Sequence, residues 1–97
     1  MLTSKQRSHL RGLANKIDAI FHIGKNGATP EITKTIDEAL AARELIKLSV
    51  LENCPLEPAE VAEIIGGRTR SEVVQVIGRK VVLYRISKKK PIIELPT

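Results

Sequence analysis

The residues of this chain best suited to binding chemistry lie in one short loop, Gly24-Lys25-Asn26-Gly27. Two glycines allow the backbone to turn sharply and let a ligand approach closely, and Lys25 adds a mobile positive charge. The loop is followed by Thr29, Pro30 and Glu31: a hydroxyl cap, a proline at the first helical position and an acid in the first turn, which together predict a helix start. Because helix N-termini and glycine-flanked loops present free backbone N–H groups, this segment is a candidate anion site.

The spacing of the glycines limits which anion such a site would bind. The nucleotide-binding patterns G-x-x-x-x-G-K-[ST] and G-x-G-x-x-G are both absent, so no nucleotide pocket is predicted. Four-residue G-x-x-G loops, in contrast, are used to clamp the backbone of nucleic acids. Two glycines at this spacing also occur in ordinary turns, so the loop alone leaves both interpretations open.

The 97 residues carry a net charge of +5, with a pI near 9.7, and the charge is distributed unevenly. Residues 1–28 contain five basic and one acidic side chain, residues 29–67 three basic and eight acidic, and residues 68–97 eight basic and two acidic. Two basic ends therefore bracket an acidic middle, which favours a molecule with one cationic side and a polyanionic partner. A charged surface that is simply solvated is the alternative.

No other residues in the sequence indicate catalysis or metal binding. His9 and His22 are expected on different elements, with no cysteine or carboxylate at metal-ligand spacing. Cys54 precedes a proline and lacks a sequence cue for reactivity, which favours an incidental thiol. There is no G-x-S-x-G and no other nucleophile motif. We therefore expect no enzyme activity, no metal, no cofactor and no small-molecule substrate.

The sequence also predicts where the aromatic residues and three of the acidic residues lie. Phe21 and Tyr84 are the only aromatic residues, and both are expected in the core or at its rim rather than on a stacking platform. Recognition of a nucleic acid would then depend on phosphates and shape, with limited base reading. The acids Asp37, Glu38 and Glu44 are expected to form a solvated helix face.

Hydrophobic periodicity predicts the element order α-β-α-β-α-β-β. The helices are expected at residues 4–17, 30–43 and from 58 to a stop at Gly66-Gly67; the strands are expected at 19–23, at 46–50 and on both sides of a hairpin turn at Gly78-Arg79. Residues 92–95 could add a short edge strand. This order predicts one small α/β sandwich, a four-stranded sheet with helices packed on it.

The length of the chain fits a single domain, and no apolar run approaches the ~20 residues that a membrane span needs. Residues 1–12 have no apolar segment behind their charges, so no signal peptide is expected. A lone cysteine excludes an internal disulfide framework and suits a reducing compartment. We expect a cytoplasmic protein without membrane contact, and nothing in the sequence requires a dimer, so a monomer is expected.

Four segments occur in order over nearly the whole chain: LTSKQRSHLRGLA (2–14), IGKNG (23–27), ALAARELIKLSV (39–50) and VVQVIGRKVVLYR (73–85). They resemble the CRM domain (chloroplast RNA splicing and ribosome maturation) in its stand-alone bacterial, YhbY-type form. The resemblance implies an RNA-binding domain over residues 1–97, with residues 88–97 as a basic tail. It also implies a fold like that of the C-terminal domain of translation initiation factor 3.

The resemblance further implies a partner, namely large-subunit (23S) ribosomal RNA or its precursor within pre-50S particles during ribosome assembly. The G-x-x-G loop of the family is its expected RNA contact, and it maps onto Gly24–Gly27 without departure. Together with the distribution of charge, this predicts a set of RNA-binding residues: Gly24, Lys25, Asn26, Gly27, Lys5, Arg7, Arg11, Arg68, Arg70, Arg79 and Lys80. Lys88–Lys90 are outside this set, and their expected role is only to keep an edge strand soluble.

Two other functions remain open at this point. The acidic stretch 31–63 could dock a basic ribosomal protein or an assembly factor, which would make the chain a protein-interaction module. A DNA-associated basic protein is the third hypothesis, although the sequence shows no helix-turn-helix pairing and no dimerising element.

Overall fold

A computed structural model describes residues 2–88 and 91–97, which form three helices and four strands. In chain order these are α1 (Ser4–Ala14), β1 (Phe21–Ile23), α2 (Pro30–Arg43), β2 (Leu45–Val50), α3 (Pro58–Thr69), β3 (Glu72–Ile77) and β4 (Lys80–Tyr84). The strand order is β1-β2-β4-β3; β1 is parallel to β2, and the other two pairs are antiparallel. The predicted α/β domain with a four-stranded sheet is confirmed.

The sheet separates two hydrophobic cores because its side chains alternate between its faces. On one face, Ile46, Leu48 and Val50 of β2 pack in a core with apolar residues of α2 and α3. On the other, Leu45 packs with Leu10 and Ala14 of α1. We call these surfaces the α2–α3 face and the α1 face. The helices therefore form two outer layers around one central sheet.

Helix α1 begins as predicted but is shorter than predicted. Thr3 Oγ1 accepts a hydrogen bond from the Gln6 N–H at 3.1 Å, and Gln6 Oε1 accepts one from the Thr3 N–H at 3.0 Å, which forms a capping box. The helix ends at Ala14 rather than at residue 17, since the N–H groups of Lys16 and Ile17 bond to carbonyls three residues back. Such bonds form a tighter turn at the end of the helix. The chain therefore keeps winding to Ile17, the last apolar residue of the predicted helix, although the α-helix has ended.

Helix α3 continues through the two glycines that were predicted to stop it. It ends at Thr69, and Arg70 follows in the left-handed conformation with φ 56°. Gly66 is buried against β3, where an added Cβ would lie 3.2 Å from Val73 Cγ2. The glycine at this position therefore permits close packing between helix and strand, and the prediction of a helix stop was wrong.

The hairpin between β3 and β4 has the predicted two-residue turn. Gly78 has φ +57° and Arg79 has no positive φ, which is the arrangement of a type II′ turn. Ile77 pairs with Lys80 across the turn, and a bulge between Val73 and Gln75 shifts the register further along β3.

The C-terminal segment 91–97 forms no strand, in contrast to the expected edge strand. Its Ile93 and Leu95 pack into the α1 core, while the N–H groups of Ile92 and Ile93 donate to the Glu44 carboxylate at 2.8 and 2.7 Å. Glu44 is fully buried, so its expected place on a solvated face was also wrong. These backbone N–H groups bond to a side chain instead of to a neighbouring strand, which explains why no strand forms.

Two buried ionisable groups lie beneath this segment. Burial raises the pKa of the Glu44 carboxyl, but hydrogen bonds from the backbone N–H groups of Ser87, Ile93 and Ile92 lower it further than burial raises it. Tyr84 is in the core as expected, 3% exposed, and burial together with the negative charge of Glu44 raises its pKa. Among the described residues, the Tyr84 hydroxyl has no hydrogen-bond partner.

Candidate nucleic-acid interface

The Gly24–Gly27 segment forms a closed turn whose tip is exposed. The Gly27 N–H donates to the Gly24 carbonyl at 3.0 Å, and Gly27 adopts φ +66°, which glycine reaches without steric cost. Lys25 and Asn26 occupy the two central positions and are both exposed. The turn therefore presents one cation and one amide side chain to solvent, away from the core.

The start of α2 is less open to an anion than the sequence suggested. Thr29 Oγ1 accepts from the Ile32 N–H at 3.2 Å, and Pro30 has no N–H to offer. The N–H of Gly27 is occupied within the turn, and that of Thr29 donates to the Gly27 carbonyl at 3.1 Å. Anion contacts at this loop would thus depend on the tip, at Lys25 and Asn26, more than on the helix terminus.

The turn shares one end of the sheet with the β3–β4 hairpin. Since β1 and β2 are parallel and β4 is antiparallel to them, the end of β1, the end of β2 and the hairpin turn lie together. Arg79 links the hairpin turn to the end of β2, because its Nε and Nη2 atoms donate to the carbonyl oxygens of Val50 and Leu51 at 2.6 and 2.7 Å. We call this region the loop end: Gly24–Gly27, Val50–Leu51 and Gly78–Arg79.

A polar row crosses the α1 face next to the loop end. The strand registers place the polar residues His22, Ser49 and Lys80 side by side, with the apolar Ile77 next to Lys80 at the end of this row. Lys80 Nζ lies 3.2 Å from Ser49 Oγ. Helix α1 covers a different part of this face, where Leu45, Val74, Val82 and Tyr84 pack. His22, Lys80 and Ile77 are consequently exposed, with Ile77 60% exposed.

Lys47 is a residue of this face that the predicted set omitted. It pairs with Val82 and so points to the same side as the α1 core, one pleat away from Ser49. The sequence contained the signal, since Lys47 and Ser49 alternate with the apolar residues of β2. The predicted set was selected by charge in the two basic segments, and Lys47 lies in the acidic middle.

The three predicted basic residues of α1 differ in their availability. Arg7 donates through Nη1 to the carbonyl oxygens of Val73 and Val74, where the bulge interrupts edge strand β3. This contact joins α1 to the bulged part of β3, which gives Arg7 a structural role. Lys5 is exposed and Arg11 is half-buried, and both lie on the helix that covers the α1 face.

Arg68 and Arg70 lie on the other side of the sheet. Arg68 reaches from α3 to the Ala28 carbonyl with Nη1 at 3.1 Å. Arg70 lines a groove of about 670 Å³ beside α2 and α3, whose lining includes Arg85 and Lys88. Arg85 in that groove is paired with Asp37 at 2.5 Å. The predicted cations are thus divided between two faces.

The two faces of the sheet nevertheless differ in their balance of basic and acidic residues. Helix α1 contains three basic residues and no acid, and Lys47 and Lys80 extend this cationic surface onto the sheet. Helices α2 and α3 together contain three basic residues and five exposed acids: Glu31, Asp37, Glu38, Glu60 and Glu63. The α1 face is therefore cationic. Helices α2 and α3 have an acidic excess, but Arg70, Arg85 and Lys88 beside them make the α2–α3 face mixed.

Comparison with known proteins identifies the family. The CRS1/YhbY (CRM) domain matches residues 2–85. This chain belongs to the CRM domain family. The domain is 49% identical over 96 residues to the Probable RNA-binding protein YqeI of Bacillus subtilis, covering 99% of this chain and all of that protein. It is 35% identical over 95 residues to an RNA-binding protein of Haemophilus influenzae, covering 98% and 95%.

A solved structure supports the fold of this CRM domain. The solution structure of the hypothetical protein SAV1595 from Staphylococcus aureus superimposes with a TM-score of 0.83 at 52% sequence identity. The match covers 99% of this chain and 100% of that one.

Metal binding and membrane insertion are two other properties that the side chains and helices of this CRM domain bear on. Within residues 2–88 and 91–97, no three His, Cys, Asp or Glu side chains are placed to hold a metal ion. Over the same residues, no helix has both the length and the apolar character needed to cross a bilayer. Cys54 is a free thiol packed against the α2–α3 core.

Proposed function

We propose that this CRM domain is a non-catalytic RNA-binding protein that acts in the cytoplasm on large-subunit (23S) ribosomal RNA or its precursor, in pre-50S particles. The observation that carries the proposal is the exposed Lys25–Asn26 tip of the glycine turn, at the end of the sheet where the cationic α1 face begins. The names of the Bacillus subtilis and Haemophilus influenzae relatives support RNA as the partner class.

The arrangement favours contacts to the sugar–phosphate backbone. Lysine and asparagine side chains at an exposed turn can each bind phosphate oxygens, and Gly24, which is half-buried and has no side chain, lets the backbone of the RNA approach. Lys80 and Lys47 would continue this contact across the α1 face, with Lys5 and Arg11 at its border. Such a surface would follow the shape of a folded RNA, and its affinity would fall steeply as salt rises.

The acidic excess of α2 and α3 supports a second candidate function on the opposite face. Glu38 and Glu63 are exposed there, and a basic ribosomal protein or assembly factor would complement them. This contact and the RNA contact could coexist, since the two surfaces lie on different sides of the sheet.

Crosslinking in cells followed by sequencing of the bound RNA tests the proposed function. The wild-type chain is compared with a Lys25→Glu/Asn26→Asp double variant, which keeps both glycines and hence the turn. A Lys88→Glu variant serves as the control, because Lys88 lines the groove on the α2–α3 face. Enrichment of one large-subunit rRNA region by the wild type and the control, lost in the double variant, is the expected result. Scattered messenger RNA, or no enrichment above background, would contradict the proposal.

A further inference from the structure

An open depression of about 640 Å³ lies between the end of α1 and the start of β1 and β2. Apolar side chains of Leu13, Ile17, Leu45 and Ile93 belong to its lining, together with Ile20, which is 37% exposed. A pocket of this size with an apolar floor is of the kind that holds small ligands or planar groups. Leu45 is buried in the α1 core, and Leu13, Ile17 and Ile93 pack against that core, so most of the floor is continuous with it.

Three cations and one acid surround this floor. Lys16, Arg43 and Lys47 line the pocket, and among the described residues Asp18 is the one acid in its lining. An apolar floor beside several cations complements a nucleotide, whose base has two apolar faces and whose phosphate carries the charge. The amino group of a base can donate to the carboxylate of Asp18, and the phosphate of the same nucleotide can bind the cations of the lining, so one nucleotide would use both kinds of charge.

The pocket is connected to the proposed RNA-binding surface. The Ile20 N–H donates to the Lys47 carbonyl at 3.0 Å, and Lys47 lies on the α1 face one pleat from Ser49 of the polar row. Strand β1, only three residues long, joins Ile20 to the Gly24 turn and spans about 10 Å. An RNA strand held at the turn could therefore place a neighbouring nucleotide in the depression.

We infer that this depression binds one unpaired nucleobase of the RNA, with Ile17 and Ile20 against the base and Asp18 accepting a hydrogen bond from its exocyclic amine. Adenine, cytosine and guanine carry such an amine. The donor that uracil offers instead, its ring N3–H, lies between two carbonyl oxygens that repel a carboxylate, so the pocket discriminates against uracil. The inference rests on the proposed function and adds base recognition to a surface that otherwise contacts phosphate and shape.

The test uses the full chain and five RNA stems of one sequence, four with a single bulged A, C, G or U and one fully paired. Affinities are measured by fluorescence anisotropy at fixed salt. The wild type should bind the A, C and G bulges roughly fivefold or more tightly than the other two, the effect of about one hydrogen bond of 1 kcal/mol. Asp18→Asn should remove the discrimination against U. Ile20→Ser should lower the affinity for every bulged RNA to the affinity for the paired stem.

Controls separate this inference from the proposed function. Lys25→Ala should lower the affinity for all five RNAs by a similar factor and keep their ranking. Glu52→Gln, at an exposed acid in another loop, should leave all five affinities unchanged. Amide chemical shifts of residues 16–20 should move on addition of the A-bulged RNA, which reports on the pocket even if a variant folds poorly. Equal binding of all five RNAs by the wild type would overturn the pocket and leave RNA binding intact. Binding of none would overturn both.

Discussion

Arg79 and Val50 exchange two hydrogen bonds: the Val50 N–H donates to the Arg79 carbonyl at 2.8 Å, and Arg79 Nε donates to the Val50 carbonyl at 2.6 Å. The hairpin turn is thereby attached to the end of β2, next to the Gly24–Gly27 turn. Arg79 was predicted as an RNA contact because of its charge, and that contact stays a prediction. In this structure its Nε and Nη2 atoms donate to main-chain oxygens and fix the geometry of the loop end.

Two substitutions of Arg79 should separate the effect of its positive charge from the effect of its two guanidinium hydrogen bonds. Arg79→Ala removes both guanidinium contacts and should lower the free energy of unfolding by roughly 1–3 kcal/mol, as expected for hydrogen bonds from a charged donor. Arg79→Lys keeps the charge but cannot reproduce the two-pronged contact, so it should lose most of that stability and RNA affinity as well. Urea denaturation and fluorescence anisotropy measure the two effects. Full RNA affinity in Arg79→Lys would assign Arg79 a charge contact instead.

Lys25 should contribute one phosphate contact. Lys25→Ala should weaken binding similarly for all RNA sequences and reduce the slope of log K against log salt by about 0.7–0.9, the share of one phosphate. Anisotropy titrations between low and moderate salt give the slope. The matched control is Lys88→Ala, an exposed lysine of the α2–α3 face, which should leave the slope unchanged. An unaltered slope in Lys25→Ala would remove Lys25 from the interface.

The two glycines of the turn should respond differently to alanine. At Gly24 an added Cβ would meet Asn53 and Leu51 at 3.6 Å, an ordinary contact, so Gly24→Ala should change stability by no more than about 0.5 kcal/mol. Gly27 has φ +66°, so Gly27→Ala should cost about 1–2 kcal/mol. Gly24→Ala should still weaken RNA binding several-fold, because the proposed contact requires the RNA to approach the backbone closely at this turn. Thermal unfolding and anisotropy measure the pair, and undiminished RNA binding by Gly24→Ala would count against close approach at this turn.

The Glu44 carboxylate should make stability depend on acid pH. Its pKa in the folded chain is below the usual 4.5, so its stabilisation is present above pH 4.5 and is lost as the pH falls through the folded pKa. Glu44→Gln should lower the free energy of unfolding at pH 7 by roughly 1–3 kcal/mol and flatten its decline below pH 4.5. Urea denaturation from pH 3 to pH 7 tests this, with Glu38→Gln, at an exposed acid of helix α2, as the control. Parallel pH profiles for the wild type and Glu44→Gln would contradict the role of the carboxylate.

Local signals predicted most of the fold. Caps at Thr3 and Thr29 and the Gly78 turn were confirmed, because each depends on residues within four positions of one another. The end of α3 was not predictable in this way. Gly66 is a stop signal by its local propensity, but its contact with Val73 on β3 favours a continuing helix, and that contact exists only in the folded chain.

The candidate site was predictable in part for the same reason. The Gly24–Gly27 turn is a local feature, and it lies between β1 and α2 as the sequence indicated. The partners of Arg7 and Arg79 are carbonyl oxygens of distant strands, and the sequence contains no sign of which charges the fold uses internally. Glu44 was misjudged likewise, since its partners Ile92 and Ile93 follow it by nearly fifty residues.

The most direct test of the central claim, that RNA lies along the loop end and the α1 face, compares two charge reversals of equal size. Lys25→Glu/Lys80→Glu changes the loop tip and the polar row, and Lys34→Glu/Lys88→Glu changes the α2–α3 face; all four lysines are exposed. Each pair changes the net charge by the same amount, so general electrostatics cancels in the comparison. Affinity for a large-subunit rRNA fragment should fall at least 30-fold for the first pair, roughly 1 kcal/mol for each lysine that binds phosphate, and only a few-fold for the second. Equal reductions in affinity for both pairs, or a larger reduction for the second, would contradict this placement of the RNA.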